Sequence, residues 1–133
     1  DKYNRIIHIF TIPVIMFSLF VITNSINICI SYSIFFGLQL SSIRLPLPLF
    51  YYYSVYLFVL LYLAIVGYSL IENILNIAVY LHIASWSLQF YGHYHFEKNT
   101  PALYDNLYGS FVAAPVFSFV EVLDYFDVEY DYD

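Results

Sequence analysis

Between positions 49 and 91 the chain carries a single charged side chain, Glu72, in an otherwise apolar run. A helix needs about 20 apolar residues to cross the hydrocarbon core of a bilayer, so this run is long enough for two. The polar group Glu72, Asn73 and Asn76 lies near its middle, and the pattern predicts two helices meeting in a tight turn at Glu72–Asn73. Three further apolar runs cover residues 6–22, 26–40 and 107–123. The first contains His8 and Pro13 and is closed by Thr23, Asn24 and Ser25; a proline in the first turns is tolerated or kinks the helix. The second is short and interrupted by Asn27, Ser31, Ser33 and Gly37, and the last is bent by Pro115 or lies partly in the membrane interface. The expected fold class is all-α: a multi-pass transmembrane helical bundle of four to five helices. One domain covers residues 1–123, followed by an acidic, Tyr-rich C-terminal tail over 124–133.

Composition excludes most alternatives. With 62% hydrophobic and 11% charged residues and a mean hydropathy of +0.72, there is too little polar surface for a water-soluble domain. The 16 Tyr and 13 Phe suit the headgroup level of a bilayer, or reflect a biased codon usage. Cys29 stands alone, so no internal disulfide can form. Four basic residues are too few for a nucleic-acid surface, and no phosphate-cradling glycine loop, paired-cysteine motif or G-x-S-x-G elbow is present. The chain starts at Asp1 without a Met, and residues 6–22 behind Lys2 and Arg5 resemble a signal peptide; they are read as a retained first span.

Residues 41–48, with Arg44 and the Pro46-x-Pro48 pair, read as a loop. Residues 92–106 form the most polar internal stretch, in which Thr100 and Pro101 look like an N-cap and first helical position. Five spans would bring the amino terminus, the Arg44 loop and residues 93–106 to one side, together with every base of the chain: Lys2, Arg5, Arg44 and Lys98. The positive-inside tendency makes that side cytoplasmic or matrix, with the tail opposite; a re-entrant second or fifth run would move the tail across. Together with Glu121 the tail holds six of the ten acids and no base, which suits a solvated segment or a dock for a basic partner.

This topology converges His8, His93 and His95 on one face. His93 and Glu97 are four residues apart and share a side of any continuing helix, whereas His95 diverges. Two histidines and a carboxylate are the facial ligand set of non-haem iron(II), and His8, His93 and Glu97 could supply it. The same residues also read as interfacial side chains bonded to headgroups, with Glu97 paired to Lys98 or capping the next helix. His82 lies about 16 Å along a helix from His93, too far to share one metal, and is expected to bond a neighbouring helix through Asn76 or a Tyr hydroxyl. Gly92 either relieves crowding where the fourth helix ends or stops it.

Two segments carry a resemblance. Asn4, His8 and Pro13 form an N-x-x-x-H-x-x-x-x-P pattern, and from Trp86 the chain reads W-x-x-Q-F-x-G-H-x-x-F-E-K-x-x-P-A-L-x-D-N-L, followed by Ala114-Pro115. Both resemble the signatures of the membrane-embedded 2-hydroxy fatty acid dioxygenase family. The resemblance implies an Fe(II)-dependent enzyme of the endoplasmic reticulum that shortens 2-hydroxy fatty acids by one carbon. It implies His8 and His93 as iron ligands, Glu97 as ligand or nearby base, and His95 as a further candidate. The family carries another histidine upstream of the one matched by His8, absent from this chain, and Thr11 and Asn99-Thr100 depart from its usual residues. These departures suit an alternative: an inactive family member serving as an accessory subunit of a larger membrane complex, in the mitochondrial inner membrane, that contacts other subunits through its tail.

Overall fold

The computed structural model describes residues 2–97 and 107–130, with side chains for 2–95 and 113–130. Five α-helices follow in order: α1 (Lys2–Ile26), α2 (Ile28–Ser41), α3 (Leu47–Leu70), α4 (Ile74–Gly92) and α5 (Leu107–Tyr125); a π-helical turn, His93–Glu97, continues α4. No strand occurs among the described residues. The Thr100–Pro101 helix start, Lys98 and the Glu97 side chain lie outside the described residues.

The first break falls later than the polar cluster suggested. Thr23, Asn24 and Ser25 stay helical, because the Thr23 hydroxyl donates to the Leu19 carbonyl (2.8 Å) and Ser25 to Ile22 (2.6 Å). Such bonds to the preceding turn satisfy a hydroxyl without interrupting the helix. The chain breaks at Asn27, whose extended backbone and side-chain oxygen, accepting from the Cys29 N–H at 2.9 Å, cap α2. The turn between α3 and α4 falls at Ile71–Asn73 as expected, with Asn73 in the left-handed region at φ 63°.

α1 touches all four other helices and is the hub of the bundle. Its buried side chains face several directions, and Phe20 and Val21 are fully enclosed. α2 folds back on it as a hairpin, fastened where Ser31 donates to the Phe20 carbonyl (3.0 Å) beside Thr23. α3 is tied to α2 by the Ser54 hydroxyl donating to Gln39 at 2.8 Å. α4 and α5 both run antiparallel to α1, as the pairs Ser18–His82, Thr11–Gln89 and Arg5–Glu121 and the bond from Ser118 to the His8 carbonyl require.

This geometry corrects the expected position of the tail. The C-terminal end of α5 lies at the amino-terminal end of α1, the same end as His93, rather than opposite it. The described part of the tail, residues 124–130, is exposed up to Tyr130, and its first residues close α5. Val128 donates its N–H to the Leu123 carbonyl at 3.0 Å across a left-handed Asp127, a Schellman-type closure. Tyr130 then packs against the core and donates to Asp124 at 3.0 Å.

α3 shows how unlike a water-soluble helix these elements are. It buries one stripe, Leu49, Tyr53, Leu57, Leu61, Ala64 and Gly67, at helical spacing. A soluble helix would turn polar residues outward. Here the outer faces present Val55, Phe58, Val59, Tyr62 and Leu63. α1 and α3 are each long and apolar enough to cross a membrane, whereas the apolar α2 has 14 residues and reaches about 21 Å.

Candidate functional site at the amino-terminal end of the bundle

The site is built on the α1–α4 interface. The residues that α4 buries include Ala78, Ser85 and Gly92, small side chains two turns apart along one face. Small residues let two helix backbones approach, which is how helices associate where burial from water offers no gain. At Gly92 the approach is close: a Cβ there would overlap Asn4 Oδ1 and press to 3.2 Å from Ile7 Cδ1. Gly92 therefore relieves crowding and does not stop the helix, which runs on into the π turn.

Polar pairs bridge the same interface in register. Deepest is His82, whose Nε2 accepts from the Trp86 indole N–H at 3.1 Å. Indole can only donate, so the imidazole proton resides on Nδ1, which points at Ser18 Oγ 2.8 Å away; Ser18 in turn donates to the Ile15 carbonyl at 3.0 Å. His82 does bond a neighbouring helix, but through Ser18, because Ser18 and not Asn76 or a tyrosine faces it in the antiparallel register. Ser18→Ala is expected to lower stability by about 1 kcal/mol, since it removes the hydroxyl that joins His82 of α4 to the Ile15 carbonyl of α1. Reversible unfolding in mixed micelles measures this, and an unchanged midpoint would remove the relay's structural role.

Two turns nearer the chain start, Gln89 donates its side-chain amide to Thr11, whose hydroxyl donates to the Ile7 carbonyl at 2.7 Å. Beyond that pair stand His8 and His93. Their ring centroids are 5.2 Å apart with the planes tilted by 52°. His8 sits on the central helix, and α5 is held against it by Ser118, which donates to the His8 carbonyl at 3.2 Å. His93 opens the π turn. Such single π turns widen a helix locally and re-aim the side chains that follow, and they recur at functional sites.

The other expected residues divide. His95 is exposed and its ring stacks on Tyr91 at 4.9 Å. The backbone of Glu97 closes the π turn that His93 opens. Among the described residues no group of three His, Cys, Asp or Glu is placed to hold a metal ion. Two neighbouring imidazoles nevertheless suit a divalent first-row metal, which takes nitrogen ligands in this arrangement with further positions from a carboxylate and small molecules.

Three polar contributors were given no role at this site from sequence. Asn4 is buried against Gly92, with its Oδ1 enclosed, and both residues belong to the quoted motifs, so the pattern alone marked them. Glu121 places a buried Oε2 at this end while its Oε1 lies 3.9 Å from Arg5, and Ser118 closes on His8. Neither residue stands out in sequence, because only the packing of α5 along α1 brings them here.

A family model described as 2-hydroxy-palmitic acid dioxygenase Mpo1-like matches residues 1–125. The chain is 33% identical over 126 residues to the 2-hydroxy-palmitic acid dioxygenase MPO1 of Saccharomyces cerevisiae, covering 90% of this chain and 70% of the yeast protein. No solved structure matches. The matched span takes in both histidines and all five helices, and the chain accordingly belongs to the 2-hydroxy-palmitic acid dioxygenase Mpo1-like family.

Proposed function

We propose that this chain is a membrane-embedded enzyme of lipid metabolism, an iron(II)-dependent dioxygenase that shortens 2-hydroxy fatty acids by one carbon. The single observation that carries the reading is the approach of the His8 and His93 rings to 5.2 Å, from distant parts of the sequence, in a chain whose family is described as 2-hydroxy-palmitic acid dioxygenase Mpo1-like. His8 and His93 would hold the iron, with the Glu97 carboxylate as third ligand or as a base beside it. Iron bound there supplies a centre for dioxygen activation and for chelation by the hydroxyl and carboxylate of a 2-hydroxy acid. The protein's own part is orientation: the tight Asn4–Gly92 contact and the Ser118 bond to the His8 carbonyl brace the two helices that carry the imidazoles. Apolar outer faces such as that of α3 would keep the site in lipid, where a 2-hydroxy fatty acid dissolves without a soluble carrier; the membrane proposed is that of the endoplasmic reticulum, on the family resemblance alone.

The test uses the full-length protein in lipid nanodiscs with iron(II), oxygen and 2-hydroxyhexadecanoic acid. The expected product is the fatty acid one carbon shorter, lost on chelation and restored by iron(II) but not by zinc(II). Iron-replete, folded protein that yields no shortened acid would remove the catalytic reading. A second reading, an accessory subunit of a larger membrane complex, is favoured by the folded acidic cap, on which Asp124, Asp127 and Glu129 are exposed. It predicts that neutralising those three acids releases the chain from a complex isolated in mild detergent.

A further inference from the structure

A cavity of about 290 Å³ lies between α1, α2, α4 and α5, and its shape follows from which residues line it. α1 contributes Ile12, Ile15, Met16 and Leu19, and α2 contributes Ile34 and Leu38. The four α1 positions are spaced three, four and seven residues along one face, so the cavity is a slot running about 10 Å along that helix. Its near end, at Ile12, is one helical turn beyond His8. From there it runs away from the histidines, and its far end is marked by Leu19 and, on the antiparallel α2, Ile34.

The chemistry of the walls restricts the occupant. The two polar side chains lining the slot are His82 and Trp86, and these are spent on each other and on Ser18: the indole N–H on Nε2, the imidazole Nδ1 on the serine hydroxyl. The slot offers no free donor or acceptor among these groups, and apolar walls of this kind favour an apolar guest. A fully extended chain of single bonds advances about 1.2 Å per bond, the rate at which extended backbone covers its length, so the slot accommodates about eight carbons in single file. Adding the turn that separates it from His8, the distance from the histidines to Leu19 is about 16 Å, or roughly thirteen bonds.

We propose that this slot holds the tail of one unbranched acyl chain whose polar end lies at His8 and His93, and that Leu19 and Ile34 set the longest chain accepted. The identity of the polar end rests on the function proposed above; the occupancy of the slot does not. The occupant to which we commit is a free 2-hydroxy fatty acid, not the acyl chain of a membrane phospholipid.

The experiment labels the full-length protein in nanodiscs with 2-hydroxyhexadecanoic acid carrying a diazirine near its methyl end, and maps the adduct by mass spectrometry. Wild-type protein is expected to be labelled on the segments containing Leu19 and Ile34. Leu19→Trp should reduce labelling by the sixteen-carbon probe at least about tenfold relative to a twelve-carbon probe, because each excluded methylene costs about tenfold or more in an apolar pocket. Leu19→Ala should shift the preference toward longer chains. Ile34→Phe repeats the test of the far end if Leu19→Trp does not fold, with far-ultraviolet circular dichroism and unfolding in mixed micelles reporting the fold of each variant. Adducts on the outer face of α3, chain-length preferences that are identical in folded variants, or stronger labelling of the slot by a diazirine phosphatidylcholine would each overturn the proposal. Slot labelling that responds to Leu19 in protein without turnover would leave this inference standing and remove the enzymatic one; turnover with labelling elsewhere would do the reverse.

Discussion

Replacing His93 by alanine is expected to lower the yield of chain-shortened acid by more than about 100-fold while leaving the bundle folded. Loss of even an outer partner of a metal ligand costs about 10- to 100-fold, and a direct ligand costs more. Stability should change little, because His93 is only half-buried and sits at the open end of α4, away from the enclosed Phe20 and Val21. Trp86, the single tryptophan, lies in the His82 relay two turns deeper and reports independently on whether the α1–α4 interface survives. His8→Ala should match His93→Ala, and the double variant should be scarcely worse than either, since groups that serve one centre are not additive in their loss. His95→Ala, on the exposed side of the π turn, should retain most of the activity. Full turnover by folded His93→Ala protein would end the assignment of the two imidazoles to one centre.

The second large effect is expected at Gly92. Gly92→Ala introduces a methyl group where Asn4 Oδ1 already stands, with Ile7 Cδ1 pressing at 3.2 Å. Asn4 is 1% exposed and cannot swing into solvent, so either it is displaced within the interface or α1 and α4 separate. Overpacking of this kind costs about 1–3 kcal/mol. Because the contact lies one turn from His8 and next to His93, activity should fall with stability, in contrast to the His93 variant. The cause can be isolated with Asn4→Ala, which removes the overlapped atoms: Gly92→Ala should cost clearly less in that background than in the wild type. Equal costs in both backgrounds, measured by unfolding in mixed micelles, would show that the close approach does not govern this end of the bundle.

The helices were largely legible because their signal is local. An apolar run of given length declares a helix, and Glu72–Asn73 with its tolerance of the left-handed region declares the turn between α3 and α4. The convergence of His8 and His93 was legible too, through the topology that alternating helices impose. Boundaries were harder where a residue's role depends on its own side chain. Thr23 and Ser25 look like breakers but bond back to their helix, while Asn27 caps the next one.

What the sequence determined by itself is the helical, apolar character of the chain and the family to which its motifs belong, because hydropathy and motif spacing need no partner to be read. The register between distant helices was decided only in three dimensions. Whether Ser18 or Asn76 meets His82, whether the acidic end of α5 lies beside Arg5 or at the far end, and whether Gly92 stops a helix or admits its neighbour all depend on which atoms α1 presents to each helix packed on it. The slot between Ile12 and Leu19 is likewise a property of the packing, since four helices must fail to fill a volume together before any cavity exists.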